Sequence, residues 1–453
     1  MTHPADTGAL VPARTSIADL SPSRTLVVAL AGWATVGLAA SVWPAVVGAW
    51  LVTAAVVAVV ALLDTLLVGR TTAPVLTRTI PHALALNEWH DVTIRVENPS
   101  QRSLTVEVTD AVPVEIRSEG LPRTVTVAPG KWVEFTWRAR PTVRGEFELP
   151  WMELRFRGPL GLMRQRRRVH AREQVRVYPN FKAVSRFALL ALDNRVAELG
   201  VHTRRRRGQG LEFMQLREYR EGDPLRQIDW KAVSRRNQLI SREYREEQNQ
   251  QVVFLLDCGR RMRTRDGELA YFDHVLNAVL LVSYVALRQG DAVGAFTFSG
   301  EDRLLPPRKG RGAMNTLLNG LFDIQPTTAP SDFSEAATRV ATRVKRRALI
   351  ILVSNLRDED ARELPAALAP LRRKHLVLLA SLREPSIEAA CDGPVTDLPE
   401  ALRVAAAHDY MAARKRAHDL VRGRGVQTLD VLPANLPVAL VNRYLDIKRS
   451  GAL

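Results

Sequence analysis

The sequence predicts a multidomain chain: an N-terminal transmembrane helical hairpin, an antiparallel β-sandwich, and a doubly wound α/β domain. Three observations carry this reading. Two charge-poor apolar runs lie near the start, period-2 alternation fills about the next quarter, and apolar strands alternate with helical stretches from Gln251 onward. At 453 residues the chain is long enough for two or three domains.

Residues 1–24 are polar and turn-rich, and are expected to be disordered. Thr25 to Val42 then runs 18 residues without a charge, and Ala45 to Val68 runs 24 with Asp64 as its one charge. Each run is near the roughly 20 residues that cross a bilayer as a helix. A cleaved signal peptide followed by a buried helix fits less well, because a second apolar run follows at once and a signal core is shorter. The hairpin is placed at 25–69, with its tight loop around Trp43 and Pro44. Arg14 and Arg24 precede it, Arg70 and Arg78 follow it, and the loop is uncharged, so both ends are expected in the cytoplasm. Cys258 and Cys391 match no zinc or redox spacing and form no disulfide framework, which fits a reduced compartment.

Residues 71–180 alternate with period 2 in Asp91–Glu97, Leu104–Val108, Arg123–Val127 and Trp132–Arg138, and again in Trp151–Arg157 and Gln174–Tyr178. Turn clusters at Asn98–Ser100 and Pro129–Lys131 separate them. This spacing predicts an antiparallel β-sandwich acting as a packing and positioning module. Residues 181–250 form a charged connector, expected to be mostly irregular or helical.

From 251 to 453, strands are expected at Val252–Leu256, Ala292–Phe298, Ala348–Val353, Leu376–Ala380 and Val426–Val431. Helices are expected at Leu269–Arg288, Gly312–Phe322, Phe333–Arg347, Ala361–Lys374 and Leu402–Arg422. Val252–Leu256 is apolar throughout, as befits a strand covered on both faces. The alternation predicts a mostly parallel, doubly wound sheet.

In such a sheet ligands bind beyond the carboxyl ends of the strands. The first strand ends in Asp257, followed by Cys258, Gly259, Arg260 and Arg261. A phosphotransfer nucleophile of the haloacid dehalogenase type would need a second Asp at position 259, which is Gly. No G-x-x-x-x-G-K-[ST] loop occurs, so the chain is not itself a P-loop ATPase. A metal-ion-dependent adhesion site would present Asp-x-Ser-x-Ser oxygens to Mg²⁺. Here Gly259 and Arg261 stand at the serine places, and Asn355 stands where a later acid would help. The site reads as degenerate, with no metal or other cofactor expected and Mg²⁺ the remote alternative. Asp257 would then cap the next segment or pair with Arg260 or Arg261.

The most specific stretch is Gly208 to Glu247. Gly210, Glu212, Phe213, Arg217, Tyr219, Gly222, Asp223, Arg226, Ile228, Asp229 and Trp230 are followed by Arg235, Arg236, Leu239, Arg242, Glu247 and Asp257. Gly222 allows a left-handed turn, Asp223 can cap the next helix, and Trp230 is expected as a buried anchor. This pattern closely resembles the signature of the "domain of unknown function 58" family, as does the layout of paired apolar segments before a β-rich region. The resemblance implies a von Willebrand factor A-like domain in a bacterial plasma-membrane protein with its soluble parts in the cytoplasm. It also implies a MoxR-type AAA+ ATPase as partner, sometimes with a transglutaminase-like protein, in assembly or maturation of other proteins. Arg217, Tyr219, Gly222, Asp223, Arg226, Asp229, Trp230, Arg235, Arg236 and Arg242 are the candidate partner face. The changes at Gly259, Arg261 and Asn355 depart from relatives that keep the adhesion-site serines.

The net charge is +16. It admits nucleic acid, an anionic membrane surface, or simply an arginine-rich composition. Arg204–Arg207 are the densest basic run, but they lie among alternating charges and without a nucleic-acid-binding motif. The histidines make no H-E-x-x-H, and neither a Ser-His-Asp order nor a G-x-S-x-G is present, so catalysis has no positive support. The leading expectation is a membrane-anchored, non-enzymatic scaffold or adaptor. The rivals are a hydrolase using Asp223, Asp229 and Asp257, and a basic membrane-surface or nucleic-acid binder.

Overall fold

A computed structural model describes residues 20–70, 72–180, 212–220, 228–236, 238–245 and 250–452. The chain divides between Tyr178 and Pro179 into two compact units.

The first unit opens with strand β1 (Leu20–Pro22), helix α1 (Arg24–Val42) and helix α2 (Val47–Arg70). Ser23 caps α1, accepting from the Leu26 amide at 3.3 Å. The two helices form an antiparallel pair clasped by Trp33 and Trp50. Their rings stack at 4.8 Å, and each indole N–H donates to the other residue's carbonyl, at 3.0 and 3.2 Å. In an apolar surround such groups must find partners within the protein. Gly37 makes room, since a Cβ there would meet the Trp50 indole nitrogen. Val28, Leu38, Val52 and Leu62 are more than half exposed.

Strands β2 (Val75–Thr79), β3 (Ala83–Ala85), β4 (His90–Glu97), β5 (Leu104–Asp110), β6 (Ile116–Glu119), β7 (Arg123–Val127), β8 (Trp132–Pro141), β9 (Gly145–Arg157) and β10 (Met163–Tyr178) follow. They form two sheets, one ordered β1-β10-β9-β5-β7 with β3 beside β10, the other β2-β4-β8-β6. Alternation puts Val92, Ile94 and Val96 of β4 and Val106 and Val108 of β5 in the core.

Four features differ from the sequence expectation. Leu20–Pro22, within the tail expected to be disordered, pairs with β10 in the register Leu20↔Gln165. The β3–β10 pair is parallel, so the region is not wholly antiparallel. Trp151–Arg157 and Gln174–Tyr178 are the ends of two much longer paired strands. A bulge between His170 and Glu173 switches the inward set on β9 from Leu149 to Met152, which broke the period-2 signal. Finally Arg78, expected to flank the membrane, is buried inside the unit. It donates to Asp110 at 2.6 Å, to the Leu149 carbonyl at 2.9 Å, and to the Ala171 carbonyl at the bulge.

In the second unit, β11 (Glu212–Glu218) and β12 (Ile240–Arg245) pair antiparallel on either side of helix α3 (Trp230–Arg236). The described part of the connector is thus a β-ladder with a short helix, not an irregular or helical stretch. The main sheet comprises β13 (Gln251–Asp257), then, after the small hairpin β14 (Arg265–Asp266) and β15 (Leu269–Ala270), β16 (Ala292–Phe298), β17 (Leu304–Arg308), β18 (Leu349–Ser354), β19 (Leu376–Leu382) and β20 (Gln427–Val431). Its order is β17-β16-β13-β18-β19-β20, and only the edge strand β17 runs antiparallel.

Helices α4 (Tyr271–Arg288), α5 (Arg311–Leu321), α6 (Phe333–Arg343), α7 (Leu364–Ala367), α8 (Ala369–Arg372), α9 (Pro385–Cys391), α10 (Leu398–Gly423) and α11 (Leu436–Arg449) surround the sheet. Val252, Phe254 and Leu256 face α4, α5 and α11 through Val275, Leu317 and Leu440. Val253 and Leu255 face the other way, toward Phe333, Leu364, Ala417 and Val421. The sheet is therefore covered on both faces. The helix expected at Ala361–Lys374 is broken into α7 and α8, each carrying a proline in its first turn. The helix expected at Phe333–Arg347 ends at Arg343. β17 and α11 lie outside the elements the sequence reading expected.

Candidate functional site

The strand order reverses at β13, whose neighbours β16 and β18 lie on opposite sides of it, so the crevice beyond Asp257 is where a doubly wound sheet places its ligands. Asp257 is fully buried, and both carboxylate oxygens are engaged. Oδ1 accepts from the Gly259 amide at 2.8 Å, while Oδ2 accepts from Ser331 at 2.7 Å and Ser354 at 2.5 Å. Burial raises its pKa, opposed by these hydrogen bonds and by the charge of Arg261.

The loop around residues 327–331 closes over this carboxylate. The Arg260 amide donates to the Ala329 carbonyl at 2.9 Å, and the Thr327 amide to the Cys258 carbonyl at 2.7 Å. Gly259 is required by that closure, because a Cβ there would lie 2.8 Å from the Ala329 carbonyl oxygen. Ser299, at the end of β16, adopts φ 62 and takes the Thr327 hydroxyl on its carbonyl at 2.6 Å. An open cleft of about 520 Å³ lies beside this loop, lined by Ser299, Asp302, Thr327, Asp332, Glu335 and Arg339.

Arg261 lies with its guanidinium buried. It donates to Glu359 at 2.5 Å, to Asp360, and to the Asn355 carbonyl at 3.3 Å. Asn355 gives its amide to Glu384 at 2.6 Å and accepts from Arg414 at 2.8 Å. Arg414, also buried, binds Ser381 at 2.7 Å, Asp430 at 2.7 Å and the carbonyls of Leu356 and Leu382, each at 2.8 Å. Two buried arginines thus knit the ends of β18, β19 and β20 together. Burial pulls the Arg261 and Arg414 pKa values down, but their carboxylate partners outweigh it and raise them.

Asp257, Gly259, Arg261 and Asn355 therefore meet at one sheet edge, as their spacing suggested. Among the described residues Asp257 makes no direct ion pair with Arg260 or Arg261; its partners are hydroxyls and an amide. Ser331, Ser354, Glu384, Arg414 and Asp430 belong to the same site and escaped the sequence reading. A signal for Arg414 existed. It shares one helical stripe with the buried Ala407, Ala417 and Val421, a place where a charge needs partners.

The signature segment is only partly described. Gly222, Asp223 and Arg226 lie outside the described residues, as do the side chains of Arg217, Arg236 and Arg242. Asp229 caps α3, accepting from the Lys231 and Ala232 amides at 3.1 Å each. Tyr219 is half-buried and its amide bonds the Leu239 carbonyl at 2.9 Å. Arg235 is exposed. Trp230 is 66% exposed, which overturns the expectation of a buried anchor. It is the first residue of a seven-residue helix whose capping is done by the residue before it, so the ring is not needed to hold the turn.

The fold and this site define a class: a protein with two apolar helices able to span a membrane, a β-rich unit, and a two-layered-over α/β unit with a closed strand-end site. Residues 215–420 match the family model described as "Protein of unknown function DUF58". No curated protein is similar to the chain. Among solved structures, an aerotolerance-related membrane protein from Bacteroides fragilis NCTC 9343 shows 14% identity and a TM-score of 0.29, over 44% of this chain and 98% of that one. A Salmonella alpha-2-macroglobulin mutant shows 21% identity and a TM-score of 0.19, over 23% of this chain. This chain spans 7% of that macroglobulin's length. The CARDB domain of a Pyrococcus furiosus protein shows 16% identity and a TM-score of 0.16, over 24% of this chain and 90% of that one. None of these likenesses bears on what the chain binds.

Proposed function

We propose that the protein is a membrane-anchored, non-enzymatic scaffold whose α/β unit, of von Willebrand factor A-like type, binds a protein partner. The observation that carries this reading is the closed strand-end site. Asp257 is buried with both oxygens engaged, and Arg261, where an adhesion site would carry a serine, has its guanidinium held by Asp360 and Glu359. A carboxylate engaged by three donors in this way argues against its use as a cation ligand or a general base. Asp229, a second member of the rival hydrolase cluster, serves as a helix cap. What the edge does offer is a rigid surface, and partner recognition is the use that suits it.

The family resemblance makes a MoxR-type AAA+ ATPase the partner of choice, and the exposed Arg235 with its neighbour Arg236 the first contact to test. Wild type and the Arg235→Ala/Arg236→Ala variant are compared for capture of a co-encoded ATPase, with thermal melts of both. Lost capture by a normally folded variant supports the reading; undiminished capture refutes the role of that pair. Both ends of the hairpin lie in the cytoplasm on this reading, so a reporter fused after Leu453 is active only in its cytosolic form.

A further inference from the structure

The β9–β10 turn is tied to the base of the helical hairpin from both sides. Asp64 of α2, fully buried, accepts from the amides of Leu160 at 2.9 Å, Leu162 at 2.8 Å and Met163 at 2.7 Å. From α1, the Ser23 amide donates to the Leu162 carbonyl at 2.8 Å and its hydroxyl to the Gly161 carbonyl at 2.6 Å. Gly158 fits under this clamp only because it lacks a Cβ, which would collide with the Asp64 carboxylate and Val68.

The clamp sets the depth of the turn. A 24-residue helix is about 36 Å long at about 1.5 Å per residue, against a hydrocarbon core of about 30 Å. Asp64 stands six residues before the end of α2, about 9 Å in, and so near the boundary between acyl chains and headgroups. The tip residue Leu160 is 48% exposed there.

Immediately above the turn, Arg157 and Arg164 face each other across the ladder. Behind them on the same face come Arg155 opposite Arg166, then Glu153 opposite Arg168. Glu153, nearly buried, is shared by Arg155, Arg166 and Arg168 at 2.8, 2.5 and 3.8 Å. Arg157 and Arg164 have no carboxylate partner among the described residues. Arg24 is a third such charge. It opens α1, where the helix dipole disfavours a cation and no acid sits in the first turn. Pro22, two residues earlier, pairs with Met163, so Arg24 lies beside the same turn.

We propose that Arg24, Arg157 and Arg164 form a binding site for the headgroups of anionic phospholipids, with Leu160 seated at the acyl boundary. The site rests on the membrane reading above. Three guanidiniums at headgroup depth, without carboxylate partners among the described residues, complement lipid phosphates.

The test uses the full chain reconstituted into nanodiscs of phosphatidylcholine with or without phosphatidylglycerol, and native mass spectrometry counts the phosphatidylglycerol retained. Wild type is expected to retain it and to melt several degrees higher in the mixed discs. Arg157→Gln/Arg164→Gln is expected to lose roughly 20–30-fold in apparent affinity for the lipid. Arg157→Lys/Arg164→Lys should recover most of that loss. A control at the far end of β10, Arg172→Gln/Arg176→Gln, removes two arginines already paired with Glu148 and Glu146 and should behave as wild type. Soluble glycerol phosphate should not reproduce the stabilisation. Equal retention by the Gln variant and wild type overturns the site while leaving the membrane reading intact. Failure of wild type to remain in any bilayer fraction overturns both.

Discussion

Ser354 donates its hydroxyl to Asp257 at 2.5 Å and so joins the carboxyl ends of the neighbouring parallel strands β18 and β13. Together with Ser331 and the Gly259 amide, it gives the buried Asp257 carboxylate three hydrogen-bond donors. Burial raises this pKa above its ordinary 3.8. The folded state therefore holds the proton more tightly than the unfolded chain, and the stability contributed by the protonated form declines as pH rises from about 3.8 through the shifted value. Asp257→Asn removes that ionisation, and the serine hydroxyls can rotate to suit the amide. Its stability relative to wild type is expected to improve as pH rises above about 3.8 in thermal melts of the detergent-solubilised chain. Asp257→Ala leaves Ser331, Ser354 and the Gly259 amide without their acceptor and should cost roughly 1–3 kcal/mol or more. An Asn variant that loses ground steadily with rising pH would contradict this account.

Arg261 gives a second expectation. Its guanidinium is 6% exposed, while Asp360 is 13% and Glu359 57% exposed. Arg261→Ala strands a mostly buried carboxylate and should cost roughly 3–5 kcal/mol. Arg261→Ser restores one hydroxyl but not a metal site, because position 259 has no room for a side chain under the Ala329 carbonyl. Millimolar Mg²⁺ should then raise the melting temperature of neither wild type nor this variant. A rise of several degrees in wild type, abolished by Asp257→Ala, would be decisive against the closed-site reading.

How much of this was legible in the sequence depended on whether the signal was local. The hairpin, the core strands of the main sheet and the placing of Asp257 and Asn355 at strand ends follow from uninterrupted apolar runs and short spacings. The long β9–β10 pair did not, because arginines occupy its outer positions and the bulge at His170 breaks the alternation. The roles of Asp64, Arg78 and Arg414 are set by partners 96, 32 and 16 residues or more away, at Leu160, Asp110 and Asp430. No window along the chain contains those pairings. Each was visible only as a charge set where its helix or strand should be apolar.

Buried histidines predict an acid response. His274, His375 and His418 are held below the ordinary 6.5, chiefly by burial, and each has at least one ring nitrogen without a hydrogen-bond partner among the described residues. For groups so depressed, the unfolded chain takes up protons first. Their contribution is fully present above pH 6.5 and is lost as pH falls through the depressed values. His418 lies 3.7 Å from Asp430 and beside Arg414, so its protonation disturbs the arginine network directly. The melting temperature should drop between pH 7 and pH 5.5, and His418→Gln should flatten that drop. A variant profile that parallels wild type would assign the acid response elsewhere.

Trp230 separates folding from recognition. At 66% exposure it buries little, and Asp229 already caps α3. Trp230→Ala should change stability by no more than about 0.5 kcal/mol. An exposed tryptophan on the same short helix as the exposed Arg235 suits a binding hot spot, where truncation costs about 2 kcal/mol or more in affinity. Calorimetric melts and partner capture of the same variant decide the matter. A loss of several kcal/mol in stability would return the ring to a packing role.

Asp64 closes the set, because a carboxylate in an apolar helix needs a compensating use. It supplies one by accepting three amides of the β9–β10 turn. Removing it orphans those N–H groups in a place poor in water, at roughly 1–3 kcal/mol for each that stays buried. Asp64→Leu, which a hydropathy argument would favour for a membrane helix, should therefore destabilise the chain and release the turn. Asp64→Asn keeps one oxygen to serve Leu162 and Met163 but turns an amide toward Leu160, and should fall between. Gly158→Ala reaches the same end from the other side, by forcing the Asp64 carboxylate and Val68 apart from the turn. Hydrogen exchange of the detergent-solubilised chain reads all three. The amides of Leu160, Leu162 and Met163 should be slow in wild type and fast in Asp64→Leu and Gly158→Ala, while Val106 and Val108 in the β-core stay slow. Unchanged exchange at Leu160 to Met163 in Asp64→Leu would show that the turn holds itself and that Asp64 serves some other purpose.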